Sequence, residues 1–268
     1  RAAAVAVHII PQAEKLTQGS LFYKVSPLQE TDSLAAVFAL PARKSAFPEE
    51  TCVITTTRFG MIKKSLISEL PGPSAQTFVL VKVNEGDRLI EVGLTDNKTK
   101  EILLVTAGGM AIRFKEDDVR DTGRTARGVR GINLDEGDDV IGVDIPAENT
   151  FMLTISENGF GKCTPIDEYR VQTRGGKGTI NLKTVAKIGN VSGVLQVQGE
   201  ENIMLISNAG KVIRLKVQEV PVNHRVTQGV KLIDLEPEEK LVGVARTTQE
   251  ADGPDDGVHL HDGLGARL

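Results

Sequence analysis

The sequence predicts an all-β protein with a propeller-like arrangement of about five to six four-stranded blades, each built from a repeat of about fifty residues. Three observations predict this fold: β-type apolar runs without helical periodicity, evenly spaced turn glycines, and an apolar-x-x-Val motif with the same spacing. The turn glycines are Gly60, Gly109, Gly159 and Gly210. The motif occurs at Leu34/Val37, Leu89/Val92, Val140/Val143, Val191/Val194 and Leu241/Val244. Because both markers share one period, they indicate a repeated structural unit.

Each repeat is predicted to contain four short strands. A first strand such as Phe151–Ser156 reaches a Gly-containing hairpin turn, and a second strand returns. A loop of about ten residues follows, rich in Gly, Arg, Lys and Thr, and leads to the third strand. The third strand is predicted at Ile132–Leu134, Ile180–Leu182 and Ile233–Leu235. The fourth strand is the apolar-x-x-Val motif. Repeat 1 lacks its opening strand, and Val5–Ile10 is predicted to be its second strand.

The repeat pattern stops after Arg246, and an acidic segment containing Gly and Pro follows it. The sequence therefore predicts a single domain over residues 1–246, with its first blade incomplete at the start, and an acidic, disordered tail over 247–268. Because the chain starts at Arg1, we expect it to begin inside a longer protein. Two distant cysteines, Cys52 and Cys163, predict buried, reduced thiols and a cytoplasmic protein. No apolar run is long enough to predict a membrane span.

Basic residues collect in the loop between the second and third strands, although the formal net charge is −4. Arg and Lys on a Gly-rich loop suit sequence-tolerant phosphate contacts, and no recognition helix or aromatic platform is present to read bases. Acidic residues concentrate in the turn after the third strand, so we expect the two charges to be separated in space. The basic loop residues are Arg120, Arg124, Arg127 and Arg130 in repeat 3, Arg170, Arg174 and Lys177 in repeat 4, His224, Arg225 and Lys231 in repeat 5, and Lys15 and Lys24 in repeat 1.

Catalytic chemistry is not predicted. Gly175–Thr179 lacks the upstream glycine of an ATP-binding loop and opens no helix. Tyr169 occupies a repeat position filled elsewhere by Leu or Val, so it is predicted to lie in the core. A series of regularly spaced carboxylates is predicted to pair with neighbouring loops, namely Glu69, Asp118, Glu168 and Glu219. We therefore expect no catalytic residue, no cofactor and no metal.

The segment Gln172-Thr173-Arg174-Gly175-Gly176-Lys177-Gly178 resembles the Gln-Arg-Arg-Gly-Gly-Lys-Gly box of the C-terminal domain of DNA gyrase A, with Thr173 in place of a basic residue. The resemblance covers roughly residues 5–246. In that family the full box lies in the first blade, whereas the similar segment lies here in repeat 4.

The resemblance implies a β-pinwheel that wraps duplex DNA around its rim, without catalysis of its own. It adds Gln172, Gly175, Gly176 and Gly178 to the predicted DNA contacts. It also implies three partners: duplex DNA, the catalytic N-terminal part of gyrase A and, through it, gyrase B. The function implied is support of negative supercoiling by an ATP-dependent type II topoisomerase.

Two alternatives remain open at the level of sequence. The first is the equivalent C-terminal domain of topoisomerase IV, which would bind DNA without chiral wrapping. The second is a propeller used for protein–protein binding, which predicts an apolar surface patch and no salt-sensitive affinity for DNA.

Overall fold

The computed structural model describes residues 1–13, 15, 18–40, 48, 50–95 and 100–247. Strands dominate these residues and form four sheets, which confirms the all-β, propeller-like prediction. Helical segments in this part of the chain are short. They include one helical turn, α1 (Phe22–Val25), and the 3-10 turns Val7–Ile9, Ile67–Glu69, Glu116–Asp118, Ile166–Glu168 and Val217–Glu219.

The strands follow the fifty-residue period. Repeat 2 contains β1 (Cys52–Thr57), β2 (Met61–Leu66) and β3 (Leu89–Thr95). Repeat 3 contains β4 (Glu101–Thr106), β5 (Met110–Lys115), β6 (Val129–Arg130) and β7 (Val140–Asp144). Repeat 4 contains β8 (Phe151–Ser156), β9 (Phe160–Pro165), β10 (Thr179–Ile180) and β11 (Val191–Val197). Repeat 5 contains β12 (Asn202–Ser207), β13 (Val212–Lys216), β14 (Val230–Lys231) and β15 (Leu241–Thr247).

Neighbouring repeats exchange their third strand. The sheet orders are β3-β1-β2-β6, β7-β4-β5-β10, β11-β8-β9-β14 and β15-β12-β13. The short strands β6, β10 and β14 therefore complete the sheet of the preceding repeat and not their own. Each exchanged strand covers the exposed edge of a second strand, which would otherwise present unpaired backbone groups. The exchange thus ties each blade to the next along the chain.

The predicted third strands were placed slightly too late in the sequence. The apolar triplets proposed for them begin at Ile132, Ile180 and Ile233, whereas the observed strands begin at Val129, Thr179 and Val230. The chain pairs with the preceding blade first and then turns inward. Ile132 and Ile233 are buried after that turn, so their apolar pattern reports core packing and not strand pairing.

The hydrophobic core lies between successive blades. First strands such as β4 are almost entirely buried, because one blade packs on each of their faces. Ile102 and Leu104 share a cluster with Ile54 of repeat 2, whereas Leu103 shares a cluster with Met152 of repeat 4. Alternate residues of one strand therefore face different neighbours, as the period-two geometry of a strand requires. Stacking is what buries both faces of each sheet.

The two edges of each blade have different positions in the disc. The fourth strands contact one another in succession: β3 contacts β7, β7 contacts β11, and β11 contacts β15. These strands therefore lie on the inner side, and the exchanged strands at the opposite edge lie on the outer rim. We call the segments leading into the exchanged strands the rim loops: residues 120–130 in repeat 3, 170–180 in repeat 4 and 221–231 in repeat 5.

Repeat 1 differs from its prediction. Val5–Ile10 is not a strand, since Val7–Ile9 forms a 3-10 turn. Ala2 pairs instead with Phe78, with both backbone hydrogen bonds at 2.9 Å. This pairing matches that of Ile62 with Val129, so Ala2 occupies the position of a second-strand residue, although it forms an isolated bridge and not a strand, and Val7–Ile9 corresponds to Ile67–Glu69. The prediction was displaced because the exposed apolar residues of the turn resemble a strand.

The described residues contain four blades, so the expected number of five to six was wrong. The Leu34/Val37 motif of repeat 1 lies in a segment without regular secondary structure. The predicted acidic tail beyond residue 247 lies outside the described residues.

Candidate nucleic-acid interface on the outer rim

Backbone contact fixes each rim loop against the preceding blade. The last glycine of each loop, at Gly128, Gly178 and Gly229, has a positive φ. At Gly178 the φ is +77°, and a Cβ there would lie 2.2 Å from the carbonyl oxygen of Ala111 on β5. Only glycine permits both the left-handed conformation and this close approach. The box-like sequence therefore has a structural reason for its final glycine: it lets the loop reach the outer strand.

One arginine of each rim loop is used within the protein. The Arg174 guanidinium donates to the carbonyl oxygens of Asp118 at 2.7 Å and Arg130 at 3.0 Å. Arg225, one repeat later, donates to the carbonyl oxygen of Ile180 at 2.8 Å. These hydrogen bonds satisfy the carbonyls and fasten each loop to the repeat before it.

Arg124 stands at the corresponding position of repeat 3. Its guanidinium lies 5.9 Å from the centre of the Phe78 ring, and its backbone N–H donates to Glu69 at 3.2 Å. Glu168 accepts the Arg225 N–H in the same way, at 3.1 Å. The expected pairing of the regularly spaced carboxylates with neighbouring loops is therefore confirmed for Glu69 and Glu168. Burial disfavours ionisation of Glu168, but the Arg225 N–H and His224 outweigh it and hold the pKa of Glu168 below its ordinary value.

Other loop cations form exposed ion pairs. Lys177 lies 2.5 Å from Asp135 of the preceding repeat, and Lys231 lies 2.6 Å from Asp234. The expected separation of basic loops from acidic turns is therefore wrong at Lys177, whose partner Asp135 lies in a predicted acidic turn. The cause at Lys177 is strand exchange, which carries the basic loop onto the preceding repeat and next to its acidic turn. Exposed pairs of this kind contribute little stability and are readily exchanged for another anion.

Three arginines of the rim loops have no side-chain partner within the described part of the chain: Arg120, Arg127 and Arg170. All three are exposed on the rim loops of repeats 3 and 4. Arg120 and Arg170 occupy the same repeat position, two residues after a 3-10 turn. Arg130, also exposed, makes only a long contact of 3.5 Å with Asn133. These side chains are the cations most available to an external anion.

The remaining predicted contacts are spread more widely. Gln172 donates its backbone N–H to the carbonyl oxygen of Arg113 at 2.7 Å, and Gly175 donates to Gly131 at 2.6 Å. The Gly176 carbonyl accepts the Asn133 N–H at 2.8 Å. The backbone of the box-like segment is therefore used largely for hydrogen bonds to the preceding repeat. Lys15 is exposed in repeat 1 and belongs to none of the three rim loops.

The rim loop of repeat 5 has a different surface. Pro221 stands where repeats 3 and 4 have Arg120 and Arg170, and Gln228 stands where they have Arg127 and Lys177. Its exposed residues include Val222, Val226 and Val230, which are 56%, 55% and 41% exposed. This loop keeps the scaffold of the others but not their free cations.

Sequence reasoning missed the role of the cations on the second strands. Lys63 and Lys162 are buried, and burial lowers the pKa of each to about 8. Lys162 donates to the carbonyl oxygens of His224 at 2.6 Å and Arg225 at 2.5 Å. A basic residue three or four positions after each turn glycine was the available signal, but its repetition alone does not show which way the side chain points.

The predictions for Tyr169 and the cysteines are confirmed. Tyr169 is buried and donates its hydroxyl to Asn181 at 2.5 Å, and burial raises its pKa. Cys52 and Cys163 are buried free thiols, and burial raises the pKa of each to about 12. Within the described residues, no group of three or more His, Cys, Asp or Glu side chains could hold a metal ion. No helix in the same residues is long and apolar enough to cross a membrane.

Four stacked blades with exchanged strands and cations at their outer edge define a propeller-like protein of the pinwheel type. The family model "DNA gyrase C-terminal domain, beta-propeller" matches residues 53–96, 100–147, 150–198 and 201–248. The chain therefore belongs to the family of DNA gyrase A C-terminal domains. The matched segments coincide with repeats 2 to 5, one family unit to each repeat.

Individual relatives agree with this assignment. The DNA gyrase A protein of Salmonella typhimurium is 37% identical over 246 residues, which are 92% of this chain and 27% of the relative. The DNA gyrase A protein of Pseudomonas aeruginosa is 42% identical over 211 residues, which are 79% of this chain and 23% of the relative. The chain thus spans about a quarter of the length of these relatives.

Solved structures show the same fold. A DNA gyrase A C-terminal domain aligns with a TM-score of 0.67 at 26% identity, covering 75% of this chain and 67% of that one. A C-terminal domain of DNA topoisomerase IV aligns with a TM-score of 0.78 at 23% identity, covering 85% of this chain and 70% of that one.

Proposed function

We propose that this domain binds duplex DNA without sequence preference and bends it around the outer rim. In the complete, cytoplasmic type II topoisomerase it would act beside the catalytic N-terminal part of gyrase A and, through that part, gyrase B. Its contribution there is to wrap DNA so that strand passage introduces negative supercoils. The domain itself performs no chemistry in this proposal.

The observation that carries the proposal is the set of unpartnered arginines at the rim. Arg120 and Arg170 lie at one repeat position on adjacent blades, and Arg127 lies near the end of the first of these loops. A guanidinium without a partner in the described part of the chain is ready to form bidentate hydrogen bonds to phosphate. Cations repeated around a convex edge favour a backbone that follows that edge.

Cations that already form ion pairs contribute less to DNA binding than the unpartnered arginines in this proposal. Lys177 and Lys231 are held by exposed aspartates, and phosphates can replace those partners at small cost. Arg130 and Lys15 are exposed and extend the basic surface. The net charge of −4 does not oppose this assignment, because the many acidic residues are distributed over the whole chain while the free arginines share one edge.

Two other functions remain as alternatives. The first is that of a topoisomerase IV C-terminal domain, which shares this fold and, as the sequence resemblance implies, would bind DNA without chiral wrapping. The exposed Val222, Val226 and Val230 favour a protein contact on repeat 5. The first shares the ligand with our proposal and differs in the writhe that it imposes. The second predicts that DNA affinity is absent or insensitive to the rim arginines.

Binding to duplexes of about 100 base pairs at several salt concentrations tests the proposal, since binding through phosphates has a steep dependence on salt. The variant Arg120→Gln/Arg127→Gln/Arg170→Gln is expected to bind more weakly to all sequences, with a salt dependence reduced by about three phosphate contacts. The control removes two exposed cations from the outer strand of repeat 5, as Arg214→Gln/Lys216→Gln, and the two variants are compared by the loss of binding free energy per charge removed. An equal loss per charge in both variants would show that only net charge matters, and no affinity of the wild type at low salt would exclude DNA as the ligand.

A further inference from the structure

The second strand of each blade carries a cation three or four residues after its turn glycine. The residues Lys64, Arg113 and Arg214 occupy the same register position on β2, β5 and β13. Lys64 and Arg113 lie beside the point where the next repeat joins the sheet, since Lys64 bridges Asp121 and Arg113 bridges Val171 through isolated backbone pairings. The position is therefore suited to contact the base of the next rim loop.

Arg113 reaches into the next repeat. Its Nη1 donates to the carbonyl oxygens of Ile166 at 3.0 Å and Tyr169 at 3.1 Å, which lie at the two ends of a 3-10 turn. Its Nε pairs with Glu101, and its side chain is 16% exposed. Arg170 follows Tyr169 directly in the chain. The guanidinium of Arg113 thus fixes the backbone from which the unpartnered Arg170 projects.

Lys64 has the corresponding place one repeat earlier. Its Nζ lies 3.5 Å from Glu116 and 3.4 Å from Asp121. Glu116 is buried and also accepts a hydrogen bond from Thr95 at 2.8 Å, so this carboxylate is held in place. Asp121 follows Arg120 directly. Lys64 therefore fixes the turn before Arg120 and the residue after it.

Repeat 5 supplies the contrast within the same molecule. Arg214 occupies the position of Arg113 on β13, but no exchanged strand covers β13 among the described residues. Its side chain is exposed and has no partner in that part of the chain. The cation contacts a loop only where a following repeat supplies one.

We propose that Arg113 and Lys64 are positioning residues for DNA binding: each holds the base of the following rim loop so that Arg170 or Arg120 projects from a fixed backbone. A cation on a fixed loop loses less conformational freedom when it binds a phosphate, so the same contact gives tighter binding. This inference rests on the proposed function for its consequence, but the anchoring itself is independent of DNA.

Anchoring is measured without DNA by amide hydrogen exchange of residues 166–171. Three variants of the 268-residue chain are compared, Arg113→Met, Arg113→Lys and Arg214→Met. We expect about tenfold faster exchange in Arg113→Met, because the turn opens locally, and a smaller increase in Arg113→Lys, whose ammonium keeps its charge beside Glu101 but reaches fewer carbonyls. Arg214→Met is expected to exchange as the wild type does. Unchanged exchange in Arg113→Met would overturn the anchoring role.

DNA affinity of the same proteins supplies the second readout. Arg113→Met is expected to bind about fivefold more weakly at low salt with a nearly unchanged salt slope, because no phosphate contact is removed. Arg113→Lys should recover part of this loss, and Arg214→Met should change affinity by less than about twofold. Thermal unfolding of each variant identifies misfolding. If Arg113→Met does not fold, exchange and DNA affinity are compared between Arg113→Lys and the wild type instead.

The outcomes separate the two proposals. Faster exchange with unchanged DNA affinity would retain anchoring and overturn its role in DNA binding. Loss of affinity in Arg170→Gln but not in Arg113→Met would retain the proposed function and overturn the positioning role. No DNA affinity in any protein, together with faster exchange in Arg113→Met, would overturn the proposed function and the role in DNA binding that rests on it, and would retain the anchoring.

Discussion

The rim loops of repeat 4 and repeat 5 follow the same course over the preceding blade but carry different surfaces. Both end in a glycine of positive φ, at Gly178 and Gly229, and both fasten an arginine to a backbone carbonyl of the preceding repeat. Only the loop of repeat 4 has an arginine without a partner in the described part of the chain, at Arg170, where repeat 5 has Pro221. The difference shows that the scaffold and the exposed cations of a rim loop are separate sets of residues, so the two sets can be altered separately.

The largest effect is expected from the shared scaffold. Gly178→Ala places a Cβ 2.2 Å from the Ala111 carbonyl oxygen at a φ of +77°, and because Ala111 pairs with Thr179, a backbone shift that relieves this contact disturbs the pairing of β5 with β10. We expect the free energy of unfolding to fall by about 3 kcal/mol or more. Urea unfolding followed by circular dichroism measures it.

Gly137→Ala is the matched control for this substitution. Gly137 has a φ of +79° but open space around its Cβ position, so only the conformational penalty of about 1–2 kcal/mol applies. Equal losses in both variants would show that the close approach to Ala111 contributes nothing.

The next effect is a transfer of cations to the rim loop of repeat 5. In Pro221→Arg/Gln228→Arg the two cations that this loop lacks are restored on an unchanged scaffold. We expect DNA affinity at low salt to rise about threefold to tenfold, and the salt slope to steepen by about two phosphate contacts. Filter binding or fluorescence anisotropy at several salt concentrations measures both.

A charge-matched control adds the cations elsewhere, as Val212→Arg/Val242→Arg. Both valines are exposed, on β13 and β15. If this protein gains as much affinity as the first, position on the rim loop is unimportant and the distinction between the loops fails.

A moderate effect is expected when Arg225 and Arg170 are compared directly. Arg225→Gln removes the hydrogen bond to the Ile180 carbonyl and should lower the free energy of unfolding by about 1 kcal/mol. Arg170→Gln removes no intramolecular bond in the described part of the chain and should change it by less than about 0.5 kcal/mol. DNA affinity should show the reverse order. The same order in unfolding and in binding would contradict the two roles.

The smallest effect concerns pH. Burial lowers the pKa of Lys162 to about 8, so the unfolded chain binds its proton more readily than the folded chain between about pH 8 and the ordinary lysine pKa. The contribution of this group to stability therefore rises with pH over that window. We expect the free energy of unfolding of the wild type, minus that of Lys162→Met, to increase from about pH 8 to about pH 10, measured by urea unfolding. A difference that shrinks over this range would show that Lys162 is not the group titrating.

The repeat was predictable from sequence because turn glycines and strand residues obey local rules. The strand exchange was not, since β6 at Val129–Arg130 pairs with a strand more than sixty residues earlier and is only two residues long. The candidate site was predicted as a set of loop cations. Sequence could not divide that set, because Arg170 and Arg174 differ only in whether a carbonyl of the previous repeat lies within reach. Burial of Lys162 likewise depends on the next repeat folding over it.

The topology of closed circular DNA tests the central claim most directly. Relaxed circles are incubated with the domain, treated with a topoisomerase that removes free supercoils, stripped of protein and resolved on gels. If the rim wraps DNA, the linking number should shift in one direction in proportion to bound protein, and Arg120→Gln/Arg127→Gln/Arg170→Gln should lose the shift. Binding by the wild type with no shift in linking number would contradict wrapping around the rim.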